Sequence, residues 1–149
     1  MIAIISIAVI VVLDQVSKFI VRSSMSPNQS IRVIGDFFKI CYYRNEGAAF
    51  NSLTGYRGFL IVFSVLSVIA AAVFLFMYRG KSKLLDWSLT LIVSGGLGNL
   101  IDRIALGYVT DMFSFSIFPP IFNVADIAIT VGCFLMILFV FFGKSEDLS

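Results

Sequence analysis

A chain of 149 residues that is 59% hydrophobic and 15% aromatic, with a mean hydropathy of +0.99, carries more apolar surface than one water-soluble core of its size can bury, which places it in a membrane. Its 11 basic and 9 acidic residues nearly cancel and no basic stripe interleaved with aromatics occurs, so no nucleic-acid partner is expected. With no histidine, and only Cys41 in a polar segment and Cys133 deep in an apolar run, neither a disulfide nor a thiolate or imidazole metal site is expected.

Four apolar runs, at about residues 2–21, 58–78, 84–104 and 121–142, reach the roughly 20 helical residues that span a hydrocarbon core. The first begins like a signal-peptide core. It lacks a basic leading region, continues past Asp14 and Lys18 and shows no small-x-small cleavage site before Ser23-Ser24, so a retained span is expected. The connection that follows, residues 23–57, is long and patterned. Residues 31–34 and 37–43 are rich in β-branched and aromatic side chains around Gly35-Asp36, which predicts two short strands about a turn. Asn45-Glu46-Gly47 ends the second strand, and Ala48-Ala49-Phe50 returns the chain to apolar character. Arg79, Lys81 and Lys83 crowd the second connection and assign it to the cytoplasm, with both termini inside. The basic residues of the first connection (Arg22, Arg32, Lys39, Arg44 and Arg57) are dispersed among Asp36 and Glu46, and that segment is expected outside. The expected fold is a single domain, 1–149: an α-helical integral membrane protein of four transmembrane helices with a small extracytoplasmic β-sheet, a cradle, between helices 1 and 2.

The third span then leaves the membrane on the outer side near Arg103, and the fourth re-enters near Ile121. Asp111 falls in the outer connection and Asp126 about five residues into the fourth span, roughly 7 to 8 Å down at 1.5 Å per residue. Acids in hydrocarbon are costly and read first as functional. Two carboxylates brought close together cannot both ionise easily, so one keeps a proton while the other stays charged. Such a pair can activate water and protonate a carbonyl oxygen without a metal or a nucleophilic side chain.

Each of these residues also has an ordinary reading. Asn123 and Asp126 have the spacing of a helix N-cap with an acid at the third helical position. Thr110-Asp111 suits a turn. Arg103 can snorkel to headgroups while Asn99 bonds a neighbouring helix, and Ser94, Gly95, Gly96 and Gly98 suit close helix packing. Asp14 and Lys18 have the spacing of an intrahelical ion pair.

Taken in order, Asp14-Gln15-x-x-Lys18, Asn45-x-Gly47-Ala48-Ala49-Phe50, Gly98-Asn99-x-x-Asp102-Arg103, Gly107-x-Val109-x-Asp111 and Phe122-Asn123-x-Ala125-Asp126-x-x-Ile129-x-x-Gly132 closely resemble the lipoprotein signal peptidase (signal peptidase II) family across nearly the whole chain. The resemblance implies a bacterial inner-membrane aspartic protease that cuts the signal peptide from prolipoproteins just before a diacylglyceryl-modified cysteine. It makes Asp111 and Asp126 the catalytic pair, with Asn45, Gly47, Asn99, Arg103, Asn123 and Asp14 lining or supporting the site. Asp102, turned to another helical face than Arg103, is expected to be structural. Met112 stands where many relatives have Phe.

The function expected is therefore a membrane aspartic endopeptidase, monomeric and without cofactor or metal. It would act on diacylglyceryl-prolipoproteins at the outer face of the cytoplasmic membrane, with membrane lipid as its surroundings. A proton-coupled carrier using the same acids as a relay is the alternative, opposed by the lack of an inverted repeat and of broken helices. An assembly subunit whose polar residues only join helices is a third. The topology is open to test by reporter fusions, which should place Ser82 and Glu146 inside and Gly35 and Ser114 outside. An inside Ser114 would put Asp111 on the wrong face.

Overall fold

The computed structural model describes residues 1–47 and 55–143. Ala48-Ala49-Phe50 and Glu146 lie outside the described residues. Among the described residues, four helices are long and apolar enough to cross a membrane: α1 (Ile2–Ser24), α2 (Arg57–Tyr78), α3 (Lys83–Ala105) and α4 (Val124–Phe142). Between α1 and α2 lie strands β1 (Ser30–Ile34) and β2 (Phe38–Asn45); between α3 and α4 lie β3 (Val109–Phe115) and β4 (Phe118–Phe122). The four strands form one antiparallel sheet in sequence order.

Three boundaries differ from the sequence reading. The fourth helix starts at Val124 rather than near Ile121, because Ile121 and Phe122 belong to β4. The second strand runs through Asn45 before the chain breaks. The connection read as a turn around Thr110-Asp111 is strand β3. Its neighbour β4 was hidden by Pro119-Pro120, which demote a run to non-strand or edge strand, and β4 is indeed an edge of the sheet. An aromatic ladder ties the pieces together: the Phe38 and Phe115 ring centroids stack at 4.7 Å, and Phe122 lies 5.9 Å from both Phe113 and Phe115.

Helix α3 is the centre of the bundle. Half of its most apolar stretch is buried, against 11–22% for the other three helices, whose outward faces carry exposed Ile, Val, Leu and Phe suited to lipid. Small residues on α3 let its neighbours come close. A Cβ at Gly95 would run into the backbone oxygen of Ala125 on α4, one at Gly96 would sit 2.6 Å from Val68 Cγ2 on α2, and one at Gly98 would sit 2.6 Å from Asp14 Oδ2 on α1. Two apolar clusters occupy the ends of the bundle. Val21, Met25, Tyr42 and Met112 pack beneath the sheet, so Met112 fills a buried place of its own behind Asp111; Leu75, Leu85, Leu89 and Phe139 pack at the opposite end. Both cysteines are free, Cys41 buried in the sheet and Cys133 on an outward face of α4.

The glycine contacts predict a graded response to alanine. Gly95→Ala should lower the thermal midpoint in detergent by the equivalent of about 1 to 3 kcal/mol, since the new methyl meets α4 backbone that cannot rotate away. Gly58→Ala, with nothing within 4 Å of its Cβ, is the control and should be neutral or slightly stabilising. Equal midpoints for the two variants would show that α3 and α4 are not held at this distance.

Candidate active site

Between the two apolar clusters, α1, α3, α4 and β3 surround a layer of polar side chains that are almost wholly buried: Asp14, Lys18, Asn99, Asp102, Asp111 and Asn123 are each at most 5% exposed. Groups withdrawn from water this far must satisfy one another. Asp14 Oδ2 accepts Lys18 Nζ at 2.8 Å, while Asp14 Oδ1 accepts the backbone N–H of Ala125 at 2.9 Å, an anion fixed to the first turn of α4. Asp102 accepts Thr110 N–H at 2.9 Å and lies 3.5 Å from Lys18 and 3.6 Å from Arg22. It therefore pins the strand residue beside Asp111, as a structural role requires.

The Asp111 carboxylate hangs between two amides. Its Oδ1 accepts Asn123 Nδ2 at 2.7 Å and its Oδ2 accepts Asn45 Nδ2 at 3.0 Å. The sheet makes the second contact possible. Tyr43 is paired with Asp111, so Asn45, two residues on, lies on the same face as the diagonal neighbour of Asp111. Burial and the neighbouring Asp126 push Asp111 from 3.8 up to about 7, against the pull of the Asn45 and Asn123 amides and of Lys18.

Asp126 stands in the first turn of α4, closed by a capping box. Asn123 Oδ1 accepts Asp126 N–H at 2.9 Å, and Asp126 Oδ2 accepts Asn123 N–H at 3.2 Å. The capping reading is thus correct, and it leaves Asp126 Oδ1 free to accept Asn99 Nδ2 at 2.7 Å. The acid is consequently at the very start of the helix, not five residues down it. Asn123 links the two acids: its Nδ2 reaches Asp111 and also donates to Asn99 Oδ1 at 3.2 Å.

Both acids, with Asn45, Asn99 and Arg103, line one cavity of about 670 Å³. Its other wall is apolar, built from Phe115, Ile117, Phe118, Ile121 and Phe122 of the β3–β4 hairpin and from Ile127 and Val131 of α4. Arg103 turns toward this space and donates from Nη2 to the Gly47 carbonyl at 3.3 Å, and Gly47 N–H donates to Asn45 Oδ1 at 3.0 Å, so Gly47 ties the end of β2 to α3. Asp14 stands behind the site rather than in it. Two contributors escaped the sequence reading: the aromatic hairpin, whose strands were not recognised, and Lys18, taken only as the partner of Asp14. An ionisable lysine within a membrane-spanning run was the available signal for the second.

The profile of the Signal peptidase (SPase) II family matches residues 6–142. The chain belongs to the signal peptidase II family. Relatives named lipoprotein signal peptidase include one from Halothermothrix orenii, 40% identical over 133 residues, covering 89% of this chain and 90% of the relative, and one from Streptococcus thermophilus, 43% identical over 135 residues, covering 90% and 88%. Two solved structures, each described as a bacterial membrane enzyme determined by the in meso method, superpose with TM-scores of 0.88 and 0.80. They are 32% and 33% identical to this chain, covering 97% and 95% of it and 90% and 94% of the solved chains. Membership in this family of membrane signal peptidases agrees with the four spanning helices and the sheet.

The raised Asp111 gives a pH dependence whose sign is set by linkage. Below about pH 4 the carboxyl is protonated both folded and unfolded; between pH 4 and 7 the unfolded chain releases the proton while the folded one keeps it, so stability falls as pH rises through that window. The rise from 3.8 to about 7 corresponds to about 4 kcal/mol, and an amide in place of the carboxyl gives up about 1 to 2 kcal/mol of hydrogen bonding. Asp111→Asn should therefore be more stable than the parent by about 2 kcal/mol at pH 8, with the gain falling as pH drops and turning into a loss of about 1 to 2 kcal/mol toward pH 4. Thermal unfolding of both proteins across that range in one detergent checks it, and a gain independent of pH would contradict it.

Proposed function

We propose that this signal peptidase II family member is an aspartic endopeptidase that removes the signal peptide from diacylglyceryl-modified prolipoproteins, cutting just before the lipidated cysteine, with Asp111 and Asp126 as the catalytic pair. The observation that carries this reading is the placement of one buried carboxylate, Asp111, and one half-buried carboxylate, Asp126, each held by asparagine amides, on one cavity with an apolar wall.

Charge balance supports a single proton on the pair. Four carboxylates of the layer (Asp14, Asp102, Asp111 and Asp126) face three cations (Lys18, Arg22 and Arg103), and one shared proton makes the cluster neutral. In the reaction the charged carboxylate takes a proton from water as the water oxygen bonds to the scissile carbonyl carbon, and the neutral carboxyl gives its proton to the carbonyl oxygen. Collapse of the tetrahedral adduct breaks the C–N bond: the hydroxyl proton returns to the charged carboxylate as the carbonyl re-forms, and the other carboxyl gives the proton it took from water to the leaving nitrogen, which becomes the new amino terminus. Asn45, Asn99, Asn123 and Arg103 hold acids and substrate backbone in position and transfer no proton.

The apolar wall suits an acyl chain. Buried acyl CH₂ groups contribute roughly 0.8 kcal/mol each, so a two-chain lipid anchors the precursor and fixes its scissile bond at the depth of the acids. The basic second connection supports both termini in the cytoplasm and the site near the extracytoplasmic face of the bacterial cytoplasmic membrane. One chain supplies both acids, which supports a monomeric enzyme.

The test is cleavage of a diacylglyceryl precursor in nanodiscs. The parent should release a shortened lipoprotein and leave the same precursor with an unmodified cysteine uncut. Asp111→Asn and Asp126→Asn should each abolish cleavage, with the double variant no worse than either single one. Near-normal turnover by one single variant would remove that residue from the pair, and equal cutting of both precursors would remove lipid recognition from the site.

A further inference from the structure

Lys18 is the one buried cation of the layer that does not reach the cavity, and its surroundings are unusually complete. It is wholly buried, and its ammonium has three acceptors: Asp14 Oδ2 at 2.8 Å, Asn99 Oδ1 at 3.0 Å and Asp102 Oδ2 at 3.5 Å. A lysine ammonium has three N–H groups and no acceptor. Each of its protons is thereby assigned, and the Asn99 side chain must present its oxygen to Lys18 and not its nitrogen.

The consequence passes straight through the amide. Asn99 Oδ1 takes Lys18 on one lone pair and Asn123 Nδ2 on the other, leaving Nδ2 to point at Asp126 Oδ1, 2.7 Å away. We infer that Lys18 is a positioning residue for the aspartate pair: by holding the Asn99 carbonyl it aims the Asn99 N–H at Asp126. This rests on the reading of Asp111 and Asp126 as the catalytic pair. Without the ammonium, Asp14 Oδ2 keeps only Gln15 Nε2 and Asp102 Oδ2 only the Thr110 N–H, and each carboxylate, short of one donor, attracts the Asn99 NH₂ group. A flip of the amide by half a turn satisfies them and sets the Asn99 oxygen against Asp126, so that the acid loses its donor and its orientation. An ion pair that served only to join α1 to α3 would have no such effect on turnover.

A double-mutant cycle on kcat separates the two roles. Lys18→Met, Asn99→Ala and the double variant, each as the full chain in nanodiscs with the diacylglyceryl precursor, are compared with the parent for kcat, KM and thermal midpoint. Lys18→Met should lower kcat by about 10²-fold, as misplacement of a catalytic group does, with KM changed less than about threefold. In the Asn99→Ala background the same substitution should lower kcat by no more than about threefold, because the amide it acts through is gone, while its effect on the thermal midpoint persists. Lys18→Gln, which keeps an N–H donor for Asn99 without the charge, should recover most of the lost kcat, and it carries the test if the methionine variant does not accumulate. A Lys18→Met kcat near that of the parent, a full 10²-fold loss in the Asn99→Ala background, or a Lys18→Gln kcat as low as that of Asn99→Ala would each overturn the inference. Cleavage by Asp126→Asn at the parent rate would instead overturn the underlying aspartate reading, and is measured independently.

Discussion

The ion pair between Asp14 and Lys18, 2.8 Å apart and wholly buried, is the constraint on which the rest of the molecule depends. A charge buried alone costs several kcal/mol, and paired charges are tolerated only where their remaining lone pairs and protons are also satisfied. Meeting that condition recruits one group from almost every neighbouring element. Asp14 takes the Ala125 N–H of α4, Lys18 takes Asn99 and Asp102 of α3, and Asp102 takes Thr110 N–H of β3. The same contacts bring β3 and the start of α4 together, and so bring Asp111 toward Asp126. The polar layer divides the packing of the bundle in two, with an apolar cluster beneath the sheet and another at the far end.

Economy of groups follows from the depth at which these side chains work. In Asn123 and Asp126 the same side chains, through different atoms, close the N-terminus of α4 and fix the geometry of the cavity, because every buried donor and acceptor needs a partner and few are available. Capping and site membership, which look like rivals along the chain, are two halves of one arrangement. Gly98 belongs to it as well, since any larger residue would displace the Asp14 carboxylate that holds Ala125.

The spans and the first two strands were legible in the sequence because each is a local pattern: long apolar runs for the helices, and β-branched and aromatic residues about Gly35-Asp36 for the hairpin. Strands β3 and β4 were not, because β3 pairs with β2, some seventy residues earlier, and because Asp111 within β3 and Pro119-Pro120 within β4 locally favour turns. The site residues Asn45, Asn99, Arg103, Asp111 and Asp126 could be named from ordered motifs, and they do share one cavity. The environment that gives them their properties could not. That Asp111 would be pressed by burial, and that Asn99 would be wired to Lys18, depend on distances between elements that no spacing along the chain encodes.

Strand β4 borders the cavity and is an edge of the sheet, a position where an extended segment from another molecule commonly zips on through backbone hydrogen bonds. Pro119 and Pro120 both lack an N–H, and because successive residues of a strand face opposite sides, one of them removes a donor from that open edge. On the proposed reading, a guest chain meets an edge interrupted at the prolines and is gripped more at points, by side chains such as Arg103 and the asparagines, than along a continuous ladder. Point contacts impose little demand on the guest's own sequence, and they let go one at a time, so departure requires no strand to be peeled from the sheet.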